Sequence, residues 1–150
     1  MFSVKLFLCS DSASIDVRTN TISAFHITEQ LMTASFPVAI PRISVVTVLN
    51  REQSDPEQIR FELEALLGGQ QVASGPFPIN FGRQLSARGV GEMLGLVLPS
   101  PGTLRFVLKN GDAVMASWAI SVVQVGQVPI QTYFPAQVAP VPTTEDNRQQ

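Results

Sequence analysis

Ile59-Arg60-Phe61-Glu62-Leu63-Glu64-Ala65 alternates apolar and polar side chains without a break, and its reading decides the fold class. Successive side chains of a strand point to opposite faces, so Ile59, Phe61, Leu63 and Ala65 share one face and Arg60, Glu62 and Glu64 the other. A sheet with one wet face follows. Gly68-Gly69 then offers a two-residue hairpin loop, which pairs Ala65 with Val72 on the buried face and sets Leu67 opposite Gln70.

A second hairpin lies downstream, where Gly102 to Lys109 is followed by Asn110-Gly111 and then by Asp112 to Val123. A two-residue Asn-Gly loop would turn Val114, Trp118 and Ile120 away from the face that carries Leu104 and Phe106. A three-residue loop, Lys109-Asn110-Gly111 with Gly111 as a left-handed bulge, pairs Phe106 with Val114 and keeps both apolar sets together, so it is the expected register. Upstream, Val4 to Cys9 and Ser14 to Val17 read as strands, with a turn at Thr19-Asn20 and another strand from Thr21 to about Ile27. Thr28 to Ser35 reads as a single helical turn or an irregular link before Phe36-Pro37. Ile43 to Leu49 is a β-branched run of strand length that ends in a polar surface loop, Asn50 to Gln58. Ile79 to Phe81 and Gly91 to Leu98 are further strands, and Pro99-Ser100-Pro101-Gly102 is the turn that opens the last hairpin.

Prolines at 37, 41, 56, 76, 78, 99 and 101 break most windows of helix length, so strands are the better reading through the middle of the chain. Eight or nine short strands at roughly ten-residue spacing give the pattern of an all-β sandwich or small barrel, and an antiparallel sandwich is the expected fold. We expect one β-sandwich domain over 1–125 and an extended or disordered Pro/Gln-rich tail over 126–150. Within that tail Ile130, Tyr133 and Phe134 are the candidate partner-binding residues, able to dock on the domain, on a second copy or on another protein.

The counts exclude several chemistries. With 150 residues, 45% hydrophobic and 15% charged, the chain has apolar material for one core. Ten Lys and Arg against twelve Asp and Glu give a net charge of −2, which supplies no pull toward nucleic acid or an anionic membrane. Eight of the ten basic residues are arginine, scattered along the chain. One cysteine, Cys9, and one histidine, His26, rule out an internal disulfide and a structural Cys/His zinc site. Cys9 reads as a small hydrophobe ending a strand, and His26 as a residue along a strand. The apolar stretch before Cys9 is too short for a signal peptide, and Ala113 to Val123 is too short to cross a bilayer, so a cytoplasmic location is expected.

No stretch carries a nucleotide-binding or hydrolase signature. Gly89-Val90-Gly91-Glu92-Met93-Leu94-Gly95 departs from the dinucleotide fingerprint at its third glycine and reads as a loop entering a strand. Neither a phosphate loop nor a nucleophile elbow occurs. Asp11 with Asp16, or Asp55 with Glu57, would suit calcium on loops, but Asp55-Pro56 reads better as the start of a turn. Glu62 and Glu64 are the solvated side of an amphipathic strand rather than a glycosidase pair. Arg83 and Arg88 flank Gly82 to Gly89 as solvated loop charges. Trp118 sits in an apolar stripe and reads as core. We therefore expect no catalytic residue, no metal and no cofactor.

Leu6-Phe7-Leu8-Cys9-Ser10-Asp11, the hairpin to Ile27, Phe36-Pro37 and Pro101-Gly102-Thr103-Leu104-Arg105-Phe106 together resemble a family of small bacterial proteins known only as a domain of unknown function. The likeness spans about residues 3 to 123. It implies a single Ig-like β-sandwich and a bacterial origin, and it brings no activity, ligand or catalytic residue. The expected role is a non-enzymatic protein-interaction or self-assembly module whose partner is another protein or a second copy. A small-ligand or carbohydrate-binding sandwich is the alternative.

Overall fold

The computed structural model of the chain describes residues 1–126, which contain strands, turns and loops and no helix. The strands are β1 (Ser3–Asp16), β2 (Thr21–Ile27), β3 (Gln30–Thr33), β4 (Val38–Asn50), β5 (Gln58–Leu67), β6 (Gln70–Asn80), β7 (Ser86–Leu98), β8 (Gly102–Asn110) and β9 (Ala113–Gln124). They build a four-stranded sheet ordered β2-β1-β4-β7 and a five-stranded sheet ordered β3-β9-β8-β5-β6. The two sheets bury one apolar face each against the other, as the alternation at 59–65 requires. No helix of the described residues is long and apolar enough to cross a membrane. The tail expected from 126 onward, with Ile130, Tyr133 and Phe134, lies outside the described residues beyond Gly126.

Phe61, Ala65, Leu104, Phe106, Leu108 and Ile120 supply the five-stranded half of the core, and Phe7, Cys9, Ile43, Val45 and Leu49 the other half. Each fully buried Leu, Ile or Phe contributes about 1.5–3 kcal/mol of transfer free energy, so this interior carries the fold. The two hairpins reach it by the same device. At Gly68-Gly69 the loop does set Leu67 opposite Gln70, but Ala65 pairs with Ala73 and not with Val72, because Val72 is an extra residue on β6. Without that bulge Pro76 and Pro78 would face inward, and with it Phe77 and Ile79 do.

The last hairpin repeats the arrangement. Its loop is Gly111-Asp112 rather than Lys109-Asn110-Gly111, with Gly111 at φ 60°, and the bulge falls at Met115 on β9. Phe106 therefore pairs with Trp118, not Val114, and Leu104 with Ile120. Both apolar sets do share a face, but Val114 precedes the bulge and is left on the outer side, 63% exposed.

Three other expectations change. Val4 to Cys9 and Ser14 to Val17 are parts of one strand, because β1 pairs with β4 through Ser10 and then with β2 from Ser10 onward. Thr28 to Ser35 holds no helical turn; Gln30–Thr33 pairs parallel with Ser121–Gln124, so the sheets are not wholly antiparallel. The link is fixed by Thr28, whose N–H donates to Cys9 O at 2.9 Å while its carbonyl accepts from Trp118 Nε1 at 2.7 Å. Finally, Gly89-Val90-Gly91 lies inside β7 rather than in a loop. A Cβ at Gly89 would stand 2.5 Å from Ile79 Cδ1, and one at Gly91 2.3 Å from Phe77 Cε2. Those two glycines let β6 close onto β7.

Candidate functional site

The strands bordering the two sheets are β2 and β7 in one and β3 and β6 in the other. A border strand presents unpaired backbone groups unless something blunts it. The phase of each ladder shows which residues present them. Arg51 N donates to Leu85 O at 2.9 Å, which continues the β4–β7 ladder one pair past Asn50 and Ser86. Bonded and non-bonded pairs alternate in an antiparallel ladder, so Ala87, Gly89, Gly91 and Met93 direct their backbone groups at β4. Ser86, Arg88, Val90, Glu92 and Leu94 turn theirs to the open side. Among the described residues no strand pairs with β7 there.

The same reasoning applied to β6 gives the opposite result. Phe81 N donates to Glu57 O at 2.7 Å, so Ile59–Ile79 and Phe61–Phe77 are bonded pairs and Ser74, Pro76, Pro78 and Asn80 face the open side. Proline has no N–H, and two of the four outward positions of β6 are proline. The β3 border is four residues long, and β2 is distorted by His26 at φ 54°. Of these border strands β7 alone is long, free of proline and regular over Ser86–Leu94; Gly95 at φ 64° ends that run.

Between β6 and β7 the sandwich opens into a cleft of about 490 Å³, lined by Leu63, Ser74, Gly75, Phe77, Met93 and Leu96 among others. Gly75 opens it, since its position faces Leu63 in the inward register and a Cβ there would meet nothing within 4 Å. Glu92 is the ionisable residue in the lining. Leu94 and Val97, beside the cleft, are 70% and 55% exposed. On the outer face Arg42 and Glu92 stand 3.9 Å apart, both half exposed, and Arg88 shares that face with them.

The residues singled out in the sequence are placed as follows. Ile130, Tyr133 and Phe134 lie outside the described residues. Cys9 is buried within β1, and desolvation pushes its thiol far above the usual range, whereas the His26 side chain is exposed with Nδ1 3.2 Å from Asp11 Oδ2. Glu64 meets Lys109 Nζ at 3.1 Å, and Glu62 stays solvated on the same strand face. Trp118 packs against the core and reaches Thr28, as described above. Among the described residues no three His, Cys, Asp or Glu side chains gather as a cation would need.

Asp55 closes a turn rather than starting one. Its Oδ2 accepts from Glu52 N at 2.8 Å and from the Met1 ammonium at 2.7 Å. The Met1 hydrogen bond, then the one from Glu52 N, holds the Asp55 carboxyl below the usual carboxylate range, and the Asp55 partner raises the amino terminus. The expected surface loop Asn50 to Gln58 also holds a buried residue. Arg51 is 8% exposed and donates to the carbonyls of Gln84, Asp55, Gly82 and Glu52, with its guanidinium 5.9 Å from the Phe81 ring centroid. It ties the loops before β5 and β7 together.

Sequence reasoning missed the β7 border. A signal for its counterpart was present, since prolines two apart at 76 and 78 in a strand mark a border. Nothing comparable marks β7, whose position depends on which strand ends the sheet. Among curated proteins none matches the chain. A family model described as a family of unknown function, DUF6941, matches residues 5–123, close to the span of the resemblance read from the motifs. That match takes in most of the chain, from the first strand to the end of the last; the chain belongs to DUF6941, a family of unknown function.

Proposed function

We propose that the chain is a non-enzymatic Ig-like β-sandwich module that binds another protein, or a further copy of itself, through the open side of β7. One observation carries this reading. Five alternate residues from Ser86 to Leu94 turn their N–H and C=O away from β4, while prolines take two of the four matching places on β6. Strand addition uses such a border, with main-chain bonds for affinity and flanking side chains for specificity. Support for the Ig-like assignment comes from strand order. The sequence β9-β8-β5-β6 corresponds to the G, F, C and C′ order of variable-type domains, and β1-β4-β7 to the A, B and E order opposite. In that scheme strand E is flanked by D, the place an added strand would take beside β7. A cytoplasmic protein fits a lone buried cysteine with no disulfide partner, and a bacterial origin rests on the motif resemblance alone.

A Val90→Pro variant tests it. The Val90 N–H points away from β4, so proline there removes a donor from the open side without breaking a ladder bond. Tagged wild-type chain, offered a cell lysate together with untagged chain, is expected to retain a partner that Val90→Pro does not. A wild type that retains nothing, or a variant that retains the same species, contradicts the reading. The cleft favours one second reading, a small-ligand or carbohydrate-binding sandwich, because about 490 Å³ is ample for a small ligand. That reading predicts binding that survives Val90→Pro and is lost when Gly75→Leu fills the floor.

A further inference from the structure

We infer that the strand received by β7 is β7 of a second copy, paired antiparallel about a two-fold axis through Val90. This rests on the reading of β7 as the binding edge and adds the partner and the register. An isologous contact brings one patch against itself, so the patch must be self-complementary. Pairing about Val90 sets Arg88 opposite Glu92 of the second copy and Glu92 opposite its Arg88, Ser86 opposite Leu94, and Val90 opposite Val90.

Neighbouring registers fail on charge. Centring on Arg88 or on Glu92 opposes like charges, which is destabilising across a strand pair, and centring on Ala87, Gly89 or Gly91 leaves Arg88 and Glu92 without opposite charges facing them. Shifts that centre on Val90 also join residues whose backbone groups both face outward, so every one of these residues exchanges its N–H and C=O with its opposite number. The run available is Ser86–Leu94, which is symmetric about Val90, and Gly95 at φ 64° bends the chain away just beyond it. Glu92 is not held elsewhere by a tight pair, since its contact with Arg42 is 3.9 Å and half exposed. Exposed ion pairs add little affinity, and their part here is to fix register. Two copies joined this way continue the four-stranded sheet across the axis.

Light-scattering mass after size exclusion of the full chain tests the pairing. The wild type is expected at twice the 16.3 kDa of a single chain. Arg88→Glu alone and Glu92→Arg alone each oppose like charges and should halve that mass, and the double reversal R88E/E92R should restore it. Because the double variant carries both changes, its recovery separates charge from misfolding. A double variant that stays monomeric, or single variants that stay dimeric, overturns the register. A monomeric wild type overturns self-pairing altogether, while the β7-edge reading is then decided separately by foreign proteins retained by wild type and not by Val90→Pro.

Discussion

Gly91→Ala puts the closeness of β6 and β7 under direct test. Gly91 faces inward on β7, paired with Val45, and an added Cβ would lie 2.3 Å from Phe77 Cε2 and 2.8 Å from Phe77 Cδ2. Those atoms belong to a ring that is 4% exposed and packed against the core, so a methyl at Gly91 forces it out of its packed position toward the cleft. Overpacking of this kind costs about 1–3 kcal/mol. For a domain of this size that lowers Tm by roughly 3–11 °C, read by thermal unfolding followed through Trp118 fluorescence. Gly75→Ala, where a Cβ meets nothing within 4 Å, serves as the control and should be neutral or slightly stabilising. Phe77→Leu alone leaves a void costing about 1–2 kcal/mol. Combined with Gly91→Ala it should cost less than the sum, with a coupling of about 1 kcal/mol or more, because the new methyl takes space the ring has left. Strict additivity, or a Gly91→Ala variant within about 0.5 kcal/mol of wild type, would refute the packing argument.

Other residues give further expectations. Arg51→Met removes the donors of a buried guanidinium from four carbonyl partners and should destabilise by about 2–4 kcal/mol in urea unfolding. Cys9, buried with its thiol pushed upward, should resist a maleimide in the native state and react once the chain is unfolded. Asp55 has a lowered carboxyl, so its contribution is complete above the usual carboxylate range and is lost as pH falls through the lowered value. The amino terminus is raised, so its contribution is complete below about 8 and is lost as pH rises through the raised value. The Tm advantage of wild type over Asp55→Asn should thus be flat near neutrality and shrink at both ends, and a pH-independent difference would contradict the pairing.

The alternation at 59–65 was enough to place β5, because a half-buried strand writes its two faces directly into sequence. Registers were harder. Val72 and Met115 are ordinary residues, and they become bulges only because Phe77 with Ile79, and Trp118 with Ile120, must reach the core. Matching apolar faces gave the right demand for β8–β9 but not the loop that met it, and the same demand was not applied to β5–β6. Four residues, Gln30–Thr33, are too few to show a period, and their parallel partner β9 is far along the chain. The β7 edge is written in no local pattern. It emerges from sheet order, from the ladder phase set at Arg51 and Leu85, and from prolines on a different strand.

Residue-resolved amide hydrogen exchange along β7, measured by NMR at two protein concentrations, tests most directly that the β7 edge is open and pairs with a second copy. Gly89 and Gly91, bonded to β4, should be protected at both concentrations. Arg88, Val90 and Glu92 should be protected at the high concentration and exchange freely on dilution, because their only partners come from a second copy. Free exchange of those three amides at both concentrations would contradict the pairing with a second copy, and protection that does not change on dilution would contradict the open edge itself.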